Sequence, residues 1–149
     1  MDKENIFTMD TSGIKFGNGC TEEVGYEAKR FGIKKALVIT DKKIEKLGLF
    51  QIVKDSLGKY GVDFSVYNEV VTEPTDTSFK NASSFASNGD YDGFIAVGGG
   101  SVMDTTKAAN LYSTYPADFL DYVNAPIGKG VPIPGPLKPL ICIPTTAGT

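Results

Sequence analysis

Short apolar runs alternate with amphipathic stretches along most of the chain. Four such runs, at residues 36–39, 64–67, 93–97 and 140–143, consist mostly of Ile, Val, Leu, Phe and Ala. Runs of this length are typical of strands buried on both faces of a sheet. Strands that alternate with helices form parallel sheets, because each crossover helix returns the chain to the same end of the sheet. The pattern therefore predicts an α/β fold, a parallel sheet with helices on both faces.

Apolar residues at helical spacing predict the helices between these runs. A first helix is expected to begin at a Thr21 cap, with Val24, Ala28 and Phe31 on one buried face. The same reasoning predicts, in chain order, an extended segment at 13–16, a helix at 44–60, a helix opened by Pro74 and Thr75, a helix from Ser101 to about residue 112, and a Pro/Gly-rich stretch at 116–139 with a helical piece around 119–123. That stretch is an ordered surface loop or a flexible linker.

Size and charge exclude several classes of protein. The 149 residues fit one domain, 1–149, and the net charge of −3 disfavours a nucleic-acid partner. No apolar run is long enough to span a membrane, and the N-terminus lacks a signal or transit pattern, so we expect a cytoplasmic protein. Cys20 and Cys142 are expected to be free thiols.

The chain contains no histidine. Histidine is the commonest transition-metal ligand and the commonest general base near neutral pH. We therefore assign neither catalytic residues nor metal ligands within these residues.

Three glycines and a serine, Gly98 to Ser101, separate the third apolar run from the helix that follows it. Glycines let a ligand approach the backbone closely, and the free N–H groups of a helix start attract phosphate. The alternative is a tight turn with a good helix cap, in which Ser101 caps the helix and Asp104 completes a capping box. A glycine-rich loop alone does not separate the two interpretations.

Polar residues also follow two other predicted strands. Asp41 could accept hydrogen bonds from the hydroxyls of an adenosine ribose and repel a 2′-phosphate, or it could form an ordinary turn. The segment PTTAGT, with Thr145, Thr146 and Thr149, suits a polar ligand loop, or it is a frayed tail.

Several segments together resemble the iron-containing alcohol dehydrogenase family. These are GGGSVMDTTKAAN, PTTAGT, FGNGC, VITD at Asp41 and EPTDTSF, in the family's order. The segments DFLDYVNAPIGKGVPI and PLKPLICIPTTAGT are similar to the hydroxyacid-oxoacid transhydrogenase branch. The resemblance implies a Rossmann-like, NAD-binding domain. It also implies these roles: Asp41 at the ribose; Gly98, Gly99, Gly100 and Ser101 at the pyrophosphate; Thr145 and Thr146 at phosphate and nicotinamide, with Thr149 nearby; Glu73, Pro74 and Thr75 at the adenine; and Asp104 bracing the glycine loop.

The same resemblance implies a reaction that these residues do not complete. In the family, iron(II) or zinc is held by one Asp and three His in a helical C-terminal domain, and hydride passes between NAD and an alcohol or hydroxyacid. We expect that this metal domain is missing from residues 1–149 and that the chain alone is inactive. Because a domain separated from its neighbour exposes apolar interface surface, we also expect a homo-oligomer, or poor order in the 116–139 loop and the tail. The alternatives are a non-catalytic nucleotide-binding module and a fragment similar to dehydroquinate synthase.

Overall fold

The computed structural model describes residues 11–147, and a parallel sheet lies at its centre. Its strands are β1 (Lys35–Ile39), β2 (Asp63–Tyr67), β3 (Gly93–Gly98) and β4 (Leu140–Pro144). They lie in the order β2-β1-β3-β4, and all neighbouring strands are parallel. The four predicted strands are confirmed to within a residue at each end.

Helices cover both faces of the sheet. They are α1 (Val24–Arg30), α2 (Gly48–Lys59), α3 (Asp76–Ser87) and α4 (Gly100–Thr114), and short 3-10 turns precede α1 and α2. Helices α1 and α2 share a core cluster with one face of the sheet, and α3 and α4 share a second cluster with the other. The predicted fold class is therefore confirmed. No helix in the described part of the chain is long and apolar enough to cross a membrane.

Strand β1 contributes to both core clusters. Ala36 and Val38 face α1 and α2, whereas Leu37 and Ile39 face α3 and α4, and all four are at most 1% exposed. Full burial of a large aliphatic side chain stabilises a fold by about 1.5–3 kcal/mol. Residues 36–39 of this central strand are apolar at every position because both of its faces are covered by helices.

Helices α1 and α2 approach closely at a glycine. A β-carbon on Gly25 would lie 2.2 Å from the Ser56 carbonyl oxygen. The Gly25 N–H donates to Ser56 Oγ (2.9 Å), and this hydroxyl donates to the Glu22 carbonyl (2.7 Å). The packing of α1 against α2 is therefore fixed by a close backbone contact and by the Ser56 hydroxyl, which forms hydrogen bonds with two backbone groups.

Two predictions about the first helix are wrong. Thr21 lies inside the 3-10 turn Cys20–Glu23 and does not cap α1. Phe31 is 50% exposed and is the C-cap residue after α1, which ends at Arg30, so it does not share the buried face of Val24 and Ala28. The segment at residues 13–16 has no strand partner within residues 11–147.

The predicted helical piece at 119–123 is also wrong, because this segment forms turns. Hydrogen bonds and an ion pair nevertheless connect separate parts of the Pro/Gly-rich stretch. The N–H of Lys129 donates to the Leu120 carbonyl (2.9 Å), that of Val131 donates to the Asp121 carbonyl (2.8 Å), and Lys129 Nζ lies 2.7 Å from Asp121 Oδ1. That ion pair raises the pKa of Lys129. These contacts favour an ordered surface loop over a flexible linker.

Candidate functional site

A cleft of about 480 Å³ opens where the carboxyl ends of all four strands meet. Its volume lies within the range of small-molecule sites, and this edge of an open parallel sheet is where such sheets bind ligands. Its walls come from the loops after each strand: Asp41, Lys42, Lys43 and Ile44; Asn68, Glu69, Val70, Val71 and Thr72; Gly99, Gly100, Ser101 and Val102; Thr145 and Thr146.

The glycine loop forms the floor of this cleft. Strand β3 ends at Gly98, Gly99 precedes the helix, and α4 begins at Gly100. The first N–H groups of a helix have no acceptor inside it, and at α4 they belong to residues that line the cleft. A β-carbon on Gly100 would meet nothing within 4 Å, whereas one on Gly99 would lie 3.2 Å from Thr146 Oγ1. The loop thus presents bare backbone and a helix N-terminus, which together suit an anion.

Asp41 lines the same cleft and fits both interpretations made from the sequence. Its Oδ1 accepts hydrogen bonds from the N–H groups of Lys43 (2.8 Å) and Ile44 (3.0 Å), which is the turn-forming role. Both bonds use one oxygen, so Oδ2 remains for a ligand hydroxyl. Asp41 and Ser101 line the same cleft.

The segment after β2, residues 68–72, is a wall that the sequence analysis missed. Asn68 Nδ2 donates to Glu45 Oε2 (2.7 Å), and Lys42 Nζ lies 2.7 Å from Glu69 Oε2. Burial, together with the charge of Glu69, raises the pKa of Tyr67, the last residue of β2. The prediction of β2 in a parallel sheet placed its carboxyl end at the same edge as that of β1, but only the strand order of the folded sheet makes the two ends neighbours.

The capping box predicted at Ser101 and Asp104 is wrong. The N-cap is Gly99, without a side-chain bond, and Ser101 is the second residue of α4. Asp104 therefore lies beyond the first turn, where its exposed carboxylate is 3.5 Å from Lys107 Nζ. None of its described contacts braces the glycine loop.

Among the predicted site residues that the structure describes, six line one cleft and five do not. Asp41, Gly99, Gly100, Ser101, Thr145 and Thr146 line the cleft. Gly98 does not line the cleft, and its carbonyl accepts a hydrogen bond from the Thr145 N–H (3.1 Å). Glu73, Pro74 and Thr75 do not line the cleft: Glu73 is left-handed (φ 53°), and Thr75 caps α3 through Ser78 N–H (3.2 Å). Thr149 lies outside the described residues.

No site for a metal ion is found within residues 11–147, which contain no group of three or more His, Cys, Asp or Glu suited to hold one. Cys20 and Cys142 are free, as predicted. Burial raises the pKa of the Cys142 thiol despite nearby Lys107, which disfavours the thiolate that binds metals.

The fold and the cleft define a parallel α/β domain with a candidate ligand site at the carboxyl edge of the sheet. The sequence model of iron-containing alcohol dehydrogenases matches residues 11–149. The chain therefore belongs to the iron-containing alcohol dehydrogenase family, and the resemblance stated from the sequence is confirmed.

Curated relatives include the mitochondrial hydroxyacid-oxoacid transhydrogenases of Mus musculus and Bos taurus. The chain is 55% and 56% identical to them over 144 residues, which cover 96% of this chain and 31% of each relative. The chain thus spans about a third of the length of these relatives.

Solved structures of two dehydrogenases and a reductase share the fold. The NADH-dependent butanol dehydrogenase A of Thermotoga maritima has a TM-score of 0.86 at 28% identity, over 98% of this chain and 36% of that one. The alcohol dehydrogenase of Oenococcus oeni has a TM-score of 0.77 at 37% identity, over 91% and 34%. The sulfoacetaldehyde reductase of Bifidobacterium kashiwanohense, solved with NAD+, has a TM-score of 0.78 at 27% identity, over 91% and 34%.

Proposed function

We propose that the chain binds NAD in the cleft and forms the NAD-binding part of an alcohol or hydroxyacid dehydrogenase. The observation that carries the proposal is that one cleft is lined both by a helix N-terminus, at Gly100 and Ser101, and by Asp41. A dinucleotide needs an anion site for its pyrophosphate and an acceptor for its ribose hydroxyls, and the helix N-terminus and Asp41 supply one each.

The residues present fit the cofactor. The backbone amides of Gly99, Gly100 and Ser101 would hold the pyrophosphate, and the open space at Gly100 is where its oxygens would approach. Asp41 Oδ2 would accept from the ribose hydroxyls, while Thr145 and Thr146 would supply hydroxyls on the nicotinamide side. When bound, NAD supplies the hydride acceptor.

The residues present do not fit the metal that the family name implies. The chain has no imidazole, and the described residues offer no cluster of carboxylates or thiols in its place. Nothing here polarises a substrate hydroxyl or accepts its proton. We therefore propose that the 149-residue chain alone has no dehydrogenase activity and that any turnover requires a metal site from outside these residues.

Two measurements on the purified chain test this proposal. Isothermal titration calorimetry with NAD+ should show binding. An assay of NADH formation with iron(II) or zinc and a panel of alcohols and hydroxyacids should show no metal-dependent turnover. Absence of NAD binding, or turnover above background, contradicts the respective half of the proposal.

A non-catalytic nucleotide-binding module is the second candidate function, favoured by the absence of histidine. NAD binding is common to both candidates, so restoration of activity separates them. A co-expressed partner that carries the metal ligands should restore turnover in a dehydrogenase part and leave a binding module inactive. The alternative similar to dehydroquinate synthase gains no support from the relatives.

We also propose that the chain self-associates. Ile14, Phe16 and Ile127 are 86%, 97% and 77% exposed, and contact with a second copy would remove their apolar surface from water. Light scattering should give a mass above 15.9 kDa, and a monodisperse monomer would contradict self-association. The cytoplasmic location stays a prediction, since the curated relatives carry the word mitochondrial in their names.

A further inference from the structure

Two carboxylates from neighbouring strand ends share the cleft. Asp41 follows β1 and Glu69 follows β2, and an isolated antiparallel bridge joins the two residues. Lys42, the residue that follows Asp41, forms an ion pair with Glu69 at 2.7 Å. The cation next to Asp41 in the chain is thus already held by a second acidic residue.

This ion pair is open to competition. The side chains of Lys42 and Glu69 are 61% and 59% exposed, so the pair is solvated and weak. A 2′-phosphate on a ribose held by Asp41 would face a carboxylate and would need a cation to offset the repulsion. Lys42 could supply that charge only by leaving Glu69.

Resting on the proposed function, we propose that Glu69 is a second determinant of specificity for NAD over NADP, and that it acts by holding Lys42. Asp41 repels the 2′-phosphate directly, whereas Glu69 removes the cation that would otherwise compensate. Specificity against NADP then has two sources. Asp41 repels the 2′-phosphate, and the ion pair with Glu69 keeps Lys42 away from it. Lys43 also lines the cleft and is a second candidate cation, so it must be measured separately.

A double-mutant cycle on the full 149-residue chain tests the proposal. The affinities for NADP+ and NAD+ are measured at low salt by displacement of NADH fluorescence for the parent chain, E69Q, K42M and E69Q/K42M. In E69Q the ratio of NADP+ to NAD+ affinity should rise about two- to fivefold, the range that exposed ion pairs contribute. The double variant should lose this gain, because the released cation is gone.

The controls separate three outcomes. A rise in E69Q that persists in E69Q/K42M overturns the role of Lys42, and K43M in the E69Q background then measures the other lysine. An unchanged ratio in E69Q overturns the proposal while leaving NAD binding intact. Failure of the parent chain to bind NAD+ at all overturns the proposed function, and this inference with it.

Discussion

Thr146 Oγ1 lies 3.2 Å from the point that a β-carbon would occupy on Gly99. The loops after β3 and β4 therefore touch at a position where only glycine fits without movement. A β-carbon placed in the same way on Gly100, the next residue, would meet no atom within 4 Å. The glycine loop thus has one position that is closed by the protein and one that is open to the cleft.

Replacing Gly100 with alanine should weaken NAD binding without weakening the fold. The new methyl group meets no protein atom within 4 Å, and alanine favours a helix over glycine, so the unfolding free energy should stay equal or rise by up to about 1 kcal/mol. The methyl group enters the space proposed for the pyrophosphate. Loss of one hydrogen bond to a charged group is worth about 1.5–3 kcal/mol, so affinity should fall at least about tenfold. Unchanged affinity by calorimetry would contradict the assignment of the loop.

Asp41→Asn separates the two roles of this residue. The amide oxygen can still accept from the N–H groups of Lys43 and Ile44, so stability should change by less than about 0.5 kcal/mol. The charge that strengthens bonds to the ribose hydroxyls is lost, and NAD+ affinity should fall about tenfold. Asp41→Ala is the comparison: it should also lose about 0.5–2 kcal/mol of stability, because the turn loses its acceptor. Equal stability of the two variants would show that the turn bonds contribute nothing.

The contact between α1 and α2 should tolerate no side chain at Gly25. Gly25→Ala should lower the unfolding free energy by about 1–3 kcal/mol, because the β-carbon would meet the Ser56 carbonyl at 2.2 Å. Gly58→Ala is a matched control on α2, where a β-carbon meets nothing within 4 Å, and it should be neutral or stabilising by up to about 1 kcal/mol. Urea unfolding measures both, and equal effects of the two substitutions would contradict this packing.

Asp76 should stabilise α3 in a way that depends on pH. A bond from Lys80 and the N–H of Thr77 lower the pKa of this carboxyl below its ordinary value of 3.8. Because the folded pKa is the lower one, the contribution is fully present above the unfolded value and is lost as pH falls through the folded value. Asp76→Asn should therefore lower stability to urea near neutral pH, and the difference should shrink as the pH falls below 3.8 and the carboxyl becomes protonated. A difference that does not shrink in this acidic range would contradict the account.

The sequence predicted the sheet better than the ends of its helices. The strand at 93–97 and the helix that follows were clear, yet Ser101 was expected as the cap and Gly99 takes that place. Helix α4 begins at Gly100, two residues earlier than a cap at Ser101 would place its start. Asp104 is then too far along α4 to reach the loop. Such shifts of one or two residues are decided by tertiary contacts that propensity does not contain.

The site was predictable where polar residues follow a strand directly. Asp41, Thr145 and Thr146 were found in this way. Glu73, Pro74 and Thr75 do not line the cleft, because the chain turns at Glu73 into α3 and Thr75 is used as its cap. The wall at residues 68–72 depends on which strands are neighbours, and the order β2-β1-β3-β4 is a property of the folded sheet.

The central claim is that NAD binds at the carboxyl edge of the sheet, between the start of α4 and the end of β1. Amide chemical shifts of the isotope-labelled chain, recorded by NMR during titration with NAD+, test this most directly. We predict saturable shifts at Gly99, Gly100, Ser101 and the turn after Asp41, with residues 116–139 unaffected. No saturable shifts, or shifts confined to residues 116–139, would contradict the account.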